Sequence, residues 1–208
     1  MSQTLDPEEI RKPVHAKTMG IEIECLLPRG LGRTGTLGNH HGFFFAGTDG
    51  SIQTSWSRGE TGVEFVSQPL PFNWLCTELT RLSKRFPNWE WNDSCGIHVH
   101  VSRNWFNNKR VESLRDGLET LNPDQQELLF GRSFNGYCTR PTPHERTSRY
   151  CAINTRNLNT IEFRMFSGGD VNWAKECLRR TKLMVEFKGK PTFDNLLNLF
   201  TQPEKESK

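Results

Sequence analysis

Short runs of alternating polar and apolar residues mark most of the strands in this chain. Gly20-Ile21-Glu22-Ile23-Glu24, Gly62-Val63-Glu64-Phe65, Cys95-Gly96-Ile97-His98-Val99-His100-Val101-Ser102 and Thr160-Ile161-Glu162-Phe163-Arg164-Met165-Phe166 each read as β-structure. Residues i and i+2 of a strand point the same way. Glu22 with Glu24, His98 with His100, and Glu162 with Arg164 therefore project from one face. The other faces carry Ile21 and Ile23, Val99 and Val101, and Ile161, Phe163 and Met165. A sheet that is oily on one side and bears carboxylates, imidazoles and a guanidinium on the other is the leading feature of the sequence.

The rest of the pattern fills in around these strands. A strand over about Lys17 to Leu27 is followed by a glycine-rich segment, Pro28 to Gly42, which reads as a flexible loop or a flap over a substrate. Its end carries His40 and His41, which read as a solvated loop pair or as substrate contacts. Phe43 to Ala46 and Gly62 to Ser67 predict a strand pair, with a turn at Thr48-Asp49-Gly50-Ser51. Trp74, Leu75, Leu79, Leu82 and Phe86 recur at helical spacing after Pro71. Val111, Leu114, Leu118 and Leu121 do so over Asn107 to Leu121. A short helix follows Pro123. Arg149 to Asn154 and Asn159 to Ser167 predict a hairpin that reverses at Asn157-Leu158-Asn159. Asp170 predicts the N-cap of a helix reaching about Phe187, and Phe193 to Phe200 a last one. Residues 1–14 form a polar lead-in, 15–200 a single domain and 201–208 a polar tail expected to be disordered.

This order predicts an α+β fold with a curved, mostly antiparallel sheet and helices on its apolar face. Hydrophobic residues make up only 34% of the chain, but fourteen Phe and six Trp supply large buried areas, so the core should be aromatic-rich. A net charge of +3 permits anionic ligands without calling for nucleic acid. The six cysteines form no C-x-x-C pair, no apolar run reaches membrane-spanning length, and the start lacks a secretory signal pattern. Reduced thiols in a cytoplasmic protein are the expectation.

Hard divalent cations take oxygen ligands, above all carboxylates. Glu22, Glu24, Glu64 and Glu162 on one face would repel one another unless a cation sat among them. Mg²⁺ suits them, and a histidine ligand adds tolerance of Mn²⁺. Arg149, Arg156 and Arg164 lie on or between the last two strands, where guanidinium forks can grip phosphate. Taken singly, an E-x-E strand is most often a solvated sheet face, an H-x-H a packing pair and an E-F-R a local ion pair. Their joint occurrence turns the reading toward metal and phosphate. Two rivals stand beside it. One is a zinc- or other metal-dependent hydrolase that uses His98, His100 and a glutamate. The other is a non-catalytic binding protein derived from a ligase.

At these residues the chain resembles the amidoligase family, of the carboxylate–amine ligase superfamily that includes glutamine synthetase and glutamate–cysteine ligase. The matching pieces are Gly20-Ile21-Glu22-Ile23-Glu24, Asp49-Gly50-Ser51, Glu64-Phe65-Val66-Ser67-Gln68-Pro69-Leu70, Gly96-Ile97-His98-Val99-His100-Val101-Ser102, Arg149-Tyr150-Cys151-Ala152-Ile153-Asn154 and Thr160-Ile161-Glu162-Phe163-Arg164. The resemblance implies a glutamine synthetase catalytic-domain-like fold and an ATP-dependent ligase. Such an enzyme phosphorylates a carboxylate to an acyl phosphate, and an amine then displaces phosphate to leave an amide. It implies Glu22, Glu24, Glu64, His98 and Glu162 as metal ligands, with His98 also facing the phosphates. His100 becomes a substrate-side group, Arg164 and Arg149 a clamp on the transferred phosphate, and Asn154 an orienting group for a phosphate or substrate oxygen. ATP and Mg²⁺ are the implied cofactors, and small-molecule or peptide carboxylates and amines the substrates. The pattern departs from the superfamily in its count of carboxylates: no second glutamate follows Glu64, and Asp49 is the residue that can stand in.

Overall fold

A computed structural model describes residues 17–28, 30, 36–55 and 58–202. The lead-in at 1–14, most of the tail and part of the glycine-rich loop lie outside the described residues. Seven strands form one sheet: β1 (Met19–Pro28), β2 (His40–His41), β3 (Phe44–Gly47), β4 (Glu60–Ser67), β5 (Gly96–Ser102), β6 (Ile153–Asn154) and β7 (Thr160–Ser167). Their order across the sheet is β2-β3-β4-β1-β5-β7-β6, and every neighbouring pair is antiparallel. Five helices are described: α1 (Phe72–Arg85), α2 (Asn108–Glu119), α3 (Pro123–Phe130), α4 (Val171–Glu186) and α5 (Phe193–Thr201). The α+β class and antiparallel sheet expected from the sequence are both present.

Alternation along β1 splits the molecule. Ile21, Ile23, Cys25 and Leu27 are buried in the main core, together with Val99 and Val101 of β5 and Ile161 and Phe163 of β7. α1 and α4 pack on each other and against this side, burying Leu75, Leu79 and Leu82 of α1 and Ala174, Cys177 and Leu178 of α4. The helices start where the sequence says they should. Asp170 accepts the Trp173 amide at 2.8 Å. Asn122 and Gln125 form a reciprocal capping box ahead of Pro123. Gly131, at φ 77°, ends α3 in the left-handed conformation that glycine adopts freely.

Three details differ from the alternation reading. First, β7 carries a bulge: Ile97 pairs with Phe166 while Val99 pairs with Phe163. One extra residue shifts the side-chain parity beyond Arg164. Phe166, which strict alternation assigns to the polar face, packs instead on Phe130 and Trp173. Secondly, the strand expected over Arg149–Asn154 is only Ile153–Asn154. The preceding residues turn, and Thr139 pairs with Cys151 through a parallel bridge. Arg149 is thus a loop residue. Thirdly, His40 and His41 form the edge strand β2 rather than a loop, with His40 exposed and His41 buried. His41 is buried against Phe65 and Phe86, and one ring nitrogen lies 2.9 Å from the Thr36 carbonyl. The end of the glycine-rich segment is tied to β3, where the Gly38 amide donates to the Ala46 carbonyl and the Ala46 amide to the Asn39 carbonyl.

Gly117 sits inside α2 where the chain before α5 crosses it. A Cβ built there would lie 2.1 Å from the Pro191 carbonyl oxygen. Gly117→Ala gains helix propensity of about 1 kcal/mol, but the contact is with backbone and cannot be relieved by a rotamer change. We expect net destabilisation of about 1–3 kcal/mol, measured by urea unfolding. A variant as stable as the parent would contradict the close approach.

All six cysteines are free. Burial pushes the Cys25 and Cys177 thiols well above their usual range and Cys138 up to about 11, so these three are neutral packing groups. No described helix is long and apolar enough to cross a membrane.

Candidate metal and phosphate site

The central strands bring distant residues together by register. Glu22 of β1 faces His98 of β5, Glu24 faces Glu64 of β4, His100 faces Glu162 of β7, and Glu162 faces Asn154 of β6. Glu24, His98 and Glu162 are 5%, 3% and 7% exposed, so this is a sunken site and not a solvated sheet face.

Two groups of three possible ligands result. One oxygen or nitrogen from each of Glu22, His98 and Glu162 falls within 4.8 Å of the others. The same holds for Glu24, Asp49 and Glu64. His98 joins the two groups: its Nδ1 lies 3.2 Å from Glu22 and 3.6 Å from Glu162, and its Nε2 lies 3.8 Å from Glu24. Asp49 reaches the site by a specific route. Gly62, opposite Leu26 in the β1–β4 register, has no side chain, and Ile52 fills that space: a Cβ on Gly62 would sit 2.9 Å from the Ile52 Cβ. Ile52 then packs with Leu26 and Cys95, and the Asp49 turn is closed by the Ser51 amide and hydroxyl at 2.7 and 2.8 Å. Asn92 and Ser94 hold the next residue of the loop through the Gln53 backbone.

The carboxylates respond to this crowding. Burial pushes Glu64 up to about 7, helped by the charges of Glu22, Asp49 and Glu24. Burial also raises Glu24, against the opposing pull of His98 and of the Gly96 amide, which donates to Glu24 at 2.7 Å. Glu22 is also subject to burial, but contacts from His100 and His98 outweigh it and hold the carboxyl well below the usual range. His100 is correspondingly raised: burial works against its charge, and Glu22 and then Glu162 overcome that effect. Its Nε2 lies 2.9 Å from Glu22 in an ion-pair contact that is not aligned as a hydrogen bond.

A cavity of about 190 Å³ opens over these groups. It is lined by Glu22, Glu24, Asp49, Glu64 and His98 together with Arg132, Arg149 and Arg164. Arg164 pairs with Glu162. Arg149 is an exposed rim residue stacked over Tyr150, 5.0 Å from the ring centroid. Asn154 does not line the cavity. Its amide donates to Glu162 at 2.7 Å and to the Arg149 carbonyl at 3.2 Å, so in this arrangement it fixes the Glu162 carboxylate. His100 lies beside a second cavity of about 210 Å³, with Ser67, Ser102 and Thr160 in its walls, and Glu22 borders both spaces.

Arg132 was not singled out by the sequence. It follows the glycine that ends α3, and its guanidinium donates to the Arg164 carbonyl at 2.6 Å and the Cys95 carbonyl at 3.4 Å. A Cβ on Gly96 would lie 3.1 Å from both Arg132 Nη1 and His98 Nε2, so glycine at 96 is what lets guanidinium and imidazole sit side by side. The only sequence signal was an arginine directly after a helix-ending glycine, which is common on any surface.

The chain matches no protein-family model and no curated protein. The case for a function therefore rests on the site itself.

The apo site should be pH-sensitive in a definite direction. The folded chain holds the Glu64 proton more tightly than the unfolded chain does. Stability from this group is therefore greatest at low pH and falls as pH rises from about 4.5 to about 7. His100, raised in the folded state, adds to the loss as pH climbs through its folded value. Thermal melts in chelator should show a falling midpoint across this interval, and added Mg²⁺ should restore it at the upper end. A midpoint that rises over the same interval in chelator would contradict the crowding of these carboxylates.

Proposed function

We propose that this protein is an ATP-dependent carboxylate–amine ligase with a glutamine synthetase-like catalytic fold. The observation that carries the reading is the meeting of two hard-ligand groups, Glu22–His98–Glu162 and Glu24–Asp49–Glu64, at a cavity that all of them but Glu162 line together with Arg132, Arg149 and Arg164. Carboxylates buried together at such spacing are stable in the ionised form only with cations among them. Oxygen donors with a single imidazole, that of His98 in the first group, fit Mg²⁺, with Mn²⁺ as an alternate. Neither ligand group contains both imidazoles, which favours this reading over a His-x-His zinc hydrolase.

When bound, Mg·ATP would supply the phosphoryl group that activates a substrate carboxylate. The chain's own residues do the positioning. Glu22, Glu24, Glu64, His98 and Glu162 hold the cations, Asp49 completes the second group, and Asn154 keeps Glu162 in place. Arg164 and Arg132, on the inner wall, are set to stabilise charge as it spreads over the transferred phosphoryl oxygens; Arg149 at the rim adds a third cation. His100, across Glu22 from the metal groups, faces the second cavity, which suits a carboxylate or amine substrate. A reactive acyl phosphate needs shelter from water, and the burial of Glu24, His98 and Glu162 supports that requirement.

The experiment is phosphate release by the purified protein with Mg·ATP, a panel of small-molecule and peptide carboxylates, and a panel of amines. The reading expects release that depends on both co-substrates, with a matching amide product by mass. Release with water alone, or stoichiometric tight zinc with hydrolase activity, would contradict it.

A further inference from the structure

Away from this site, two openings of about 750 and 780 Å³ adjoin along α2, sharing Lys109, Ser113 and Lys190 in their walls. The first is cationic: Lys17, Lys109, Arg110, Lys188 and Lys190 line it, against Glu186 alone, which lies 3.4 Å from Lys182. The four lysines are exposed and have no carboxylate within ion-pair distance among the described residues. Elsewhere Arg58, Arg81, Arg115, Arg146, Arg164, Arg179 and Arg180 each pair with Glu or Asp. Five cations, four of them lysines without an ion-pair partner among the described residues, thus gather at one end of one groove. Arg110 builds that end by donating to the Gly189 and Met184 carbonyls, which ties α2 to the end of α4 and the turn beyond it.

The second opening differs. Glu112 and Asp116 line it beside Gly117, Thr120, Pro191 and Thr192, and both carboxylates are paired with Arg146. The groove therefore runs from strongly cationic to neutral.

We propose that this groove docks an extended peptide whose acidic residues lie at one end, over Lys17, Lys109, Lys188 and Lys190, and whose neutral remainder runs along α2 toward Pro191. A nucleic-acid strand carries charge along its whole length, and the neutral second opening would leave part of it unmatched. The aromatic faces that bases could stack on are already covered, with Lys17 over Trp105 and Arg110 over Phe187. Charge complementarity in such a groove acts chiefly through the attraction of exposed, unpaired ammonium groups, which salt screens.

The test uses fluorescence anisotropy on the full chain, with a labelled peptide bearing a glutamate run at one end and neutral residues after it. Saturable binding that weakens with salt is expected. The double variant Lys188→Glu/Lys190→Glu should bind about tenfold more weakly or worse. A control with the same charge change on α1, Lys84→Glu/Arg85→Glu, should stay within about twofold, and circular dichroism melts of both variants check folding. Absence of saturable binding, equal weakening in the two variants, or tighter binding of an oligothymidylate or of phosphatidylserine vesicles than of the peptide would each overturn the proposal.

Discussion

Glu162→Ala and Glu64→Gln should each fold and each lose the rise in melting temperature that Mg·ATP gives the parent protein. At a ligand concentration a hundred times the dissociation constant, binding to the folded state alone is worth about 2.7 kcal/mol. For a domain of this size that is a rise of about 5–10 °C. Glu162 belongs to the first candidate ligand group and Glu64 to the second, so each change would take one oxygen donor from one of the two proposed ions. Their apo stabilities should move in opposite directions. Glu162→Ala leaves Asn154 and Arg164 without their shared carboxylate partner, and a largely desolvated guanidinium that loses its anion is costly. Glu64→Gln removes a charge that burial and three neighbouring carboxylates oppose, so the apo variant should melt higher than the parent at pH 8. A protein that gains stability while losing its response to Mg·ATP is what a site built for cations predicts. A Glu64→Gln variant that is stabilised by Mg·ATP as strongly as the parent would count against the second ligand group. Glu24→Ala is a harsher test, because it also strips the Gly96 amide of its acceptor.

Arg164→Ala should lower turnover by about a hundredfold or more while weakening Mg·ATP binding only a few-fold. In the proposed site, ground-state phosphates would still meet Arg132 and Arg149 in the same cavity, whereas charge that develops on the transferred group would need the inner guanidinium. Arg164→Lys should not restore the rate, since a point ammonium cannot serve Glu162 and a phosphoryl oxygen with one rigid fork. Rate and binding constants measured on the same preparations separate the two effects. Equal losses in kcat and affinity would argue that Arg164 merely neutralises charge.

Much of this site could be read from alternation alone. Glu22, Glu24, Glu64, His98, His100, Glu162 and Arg164 were placed on polar strand faces because a period of two leaves few other choices. Their convergence could not be read, because register is set between strands far apart in the chain. Nothing local says that Glu22 meets His98 or that Glu24 meets Glu64. Alternation also failed where backbone geometry changed, as at the β7 bulge that turns Phe166 into the core. His41 misled for a related reason: a histidine near glycines looks solvated, yet an edge strand carried it under Phe65 and Phe86. Arg132 escaped notice because its described hydrogen bonds go to main-chain carbonyls, which leave no complementary side chain to find in the sequence. Asn154 was legible as a polar residue beside the site, but only the fold shows that it holds Glu162.

The most direct measurement is a crystal structure of the protein grown with Mn²⁺ and a non-hydrolysable ATP analogue, read by anomalous scattering. The account predicts peaks among Glu22, His98 and Glu162 and among Glu24, Asp49 and Glu64, with the triphosphate between them and Arg164. Nucleotide bound elsewhere on the chain, or Mn²⁺ that avoids both groups at saturating concentration, would contradict it.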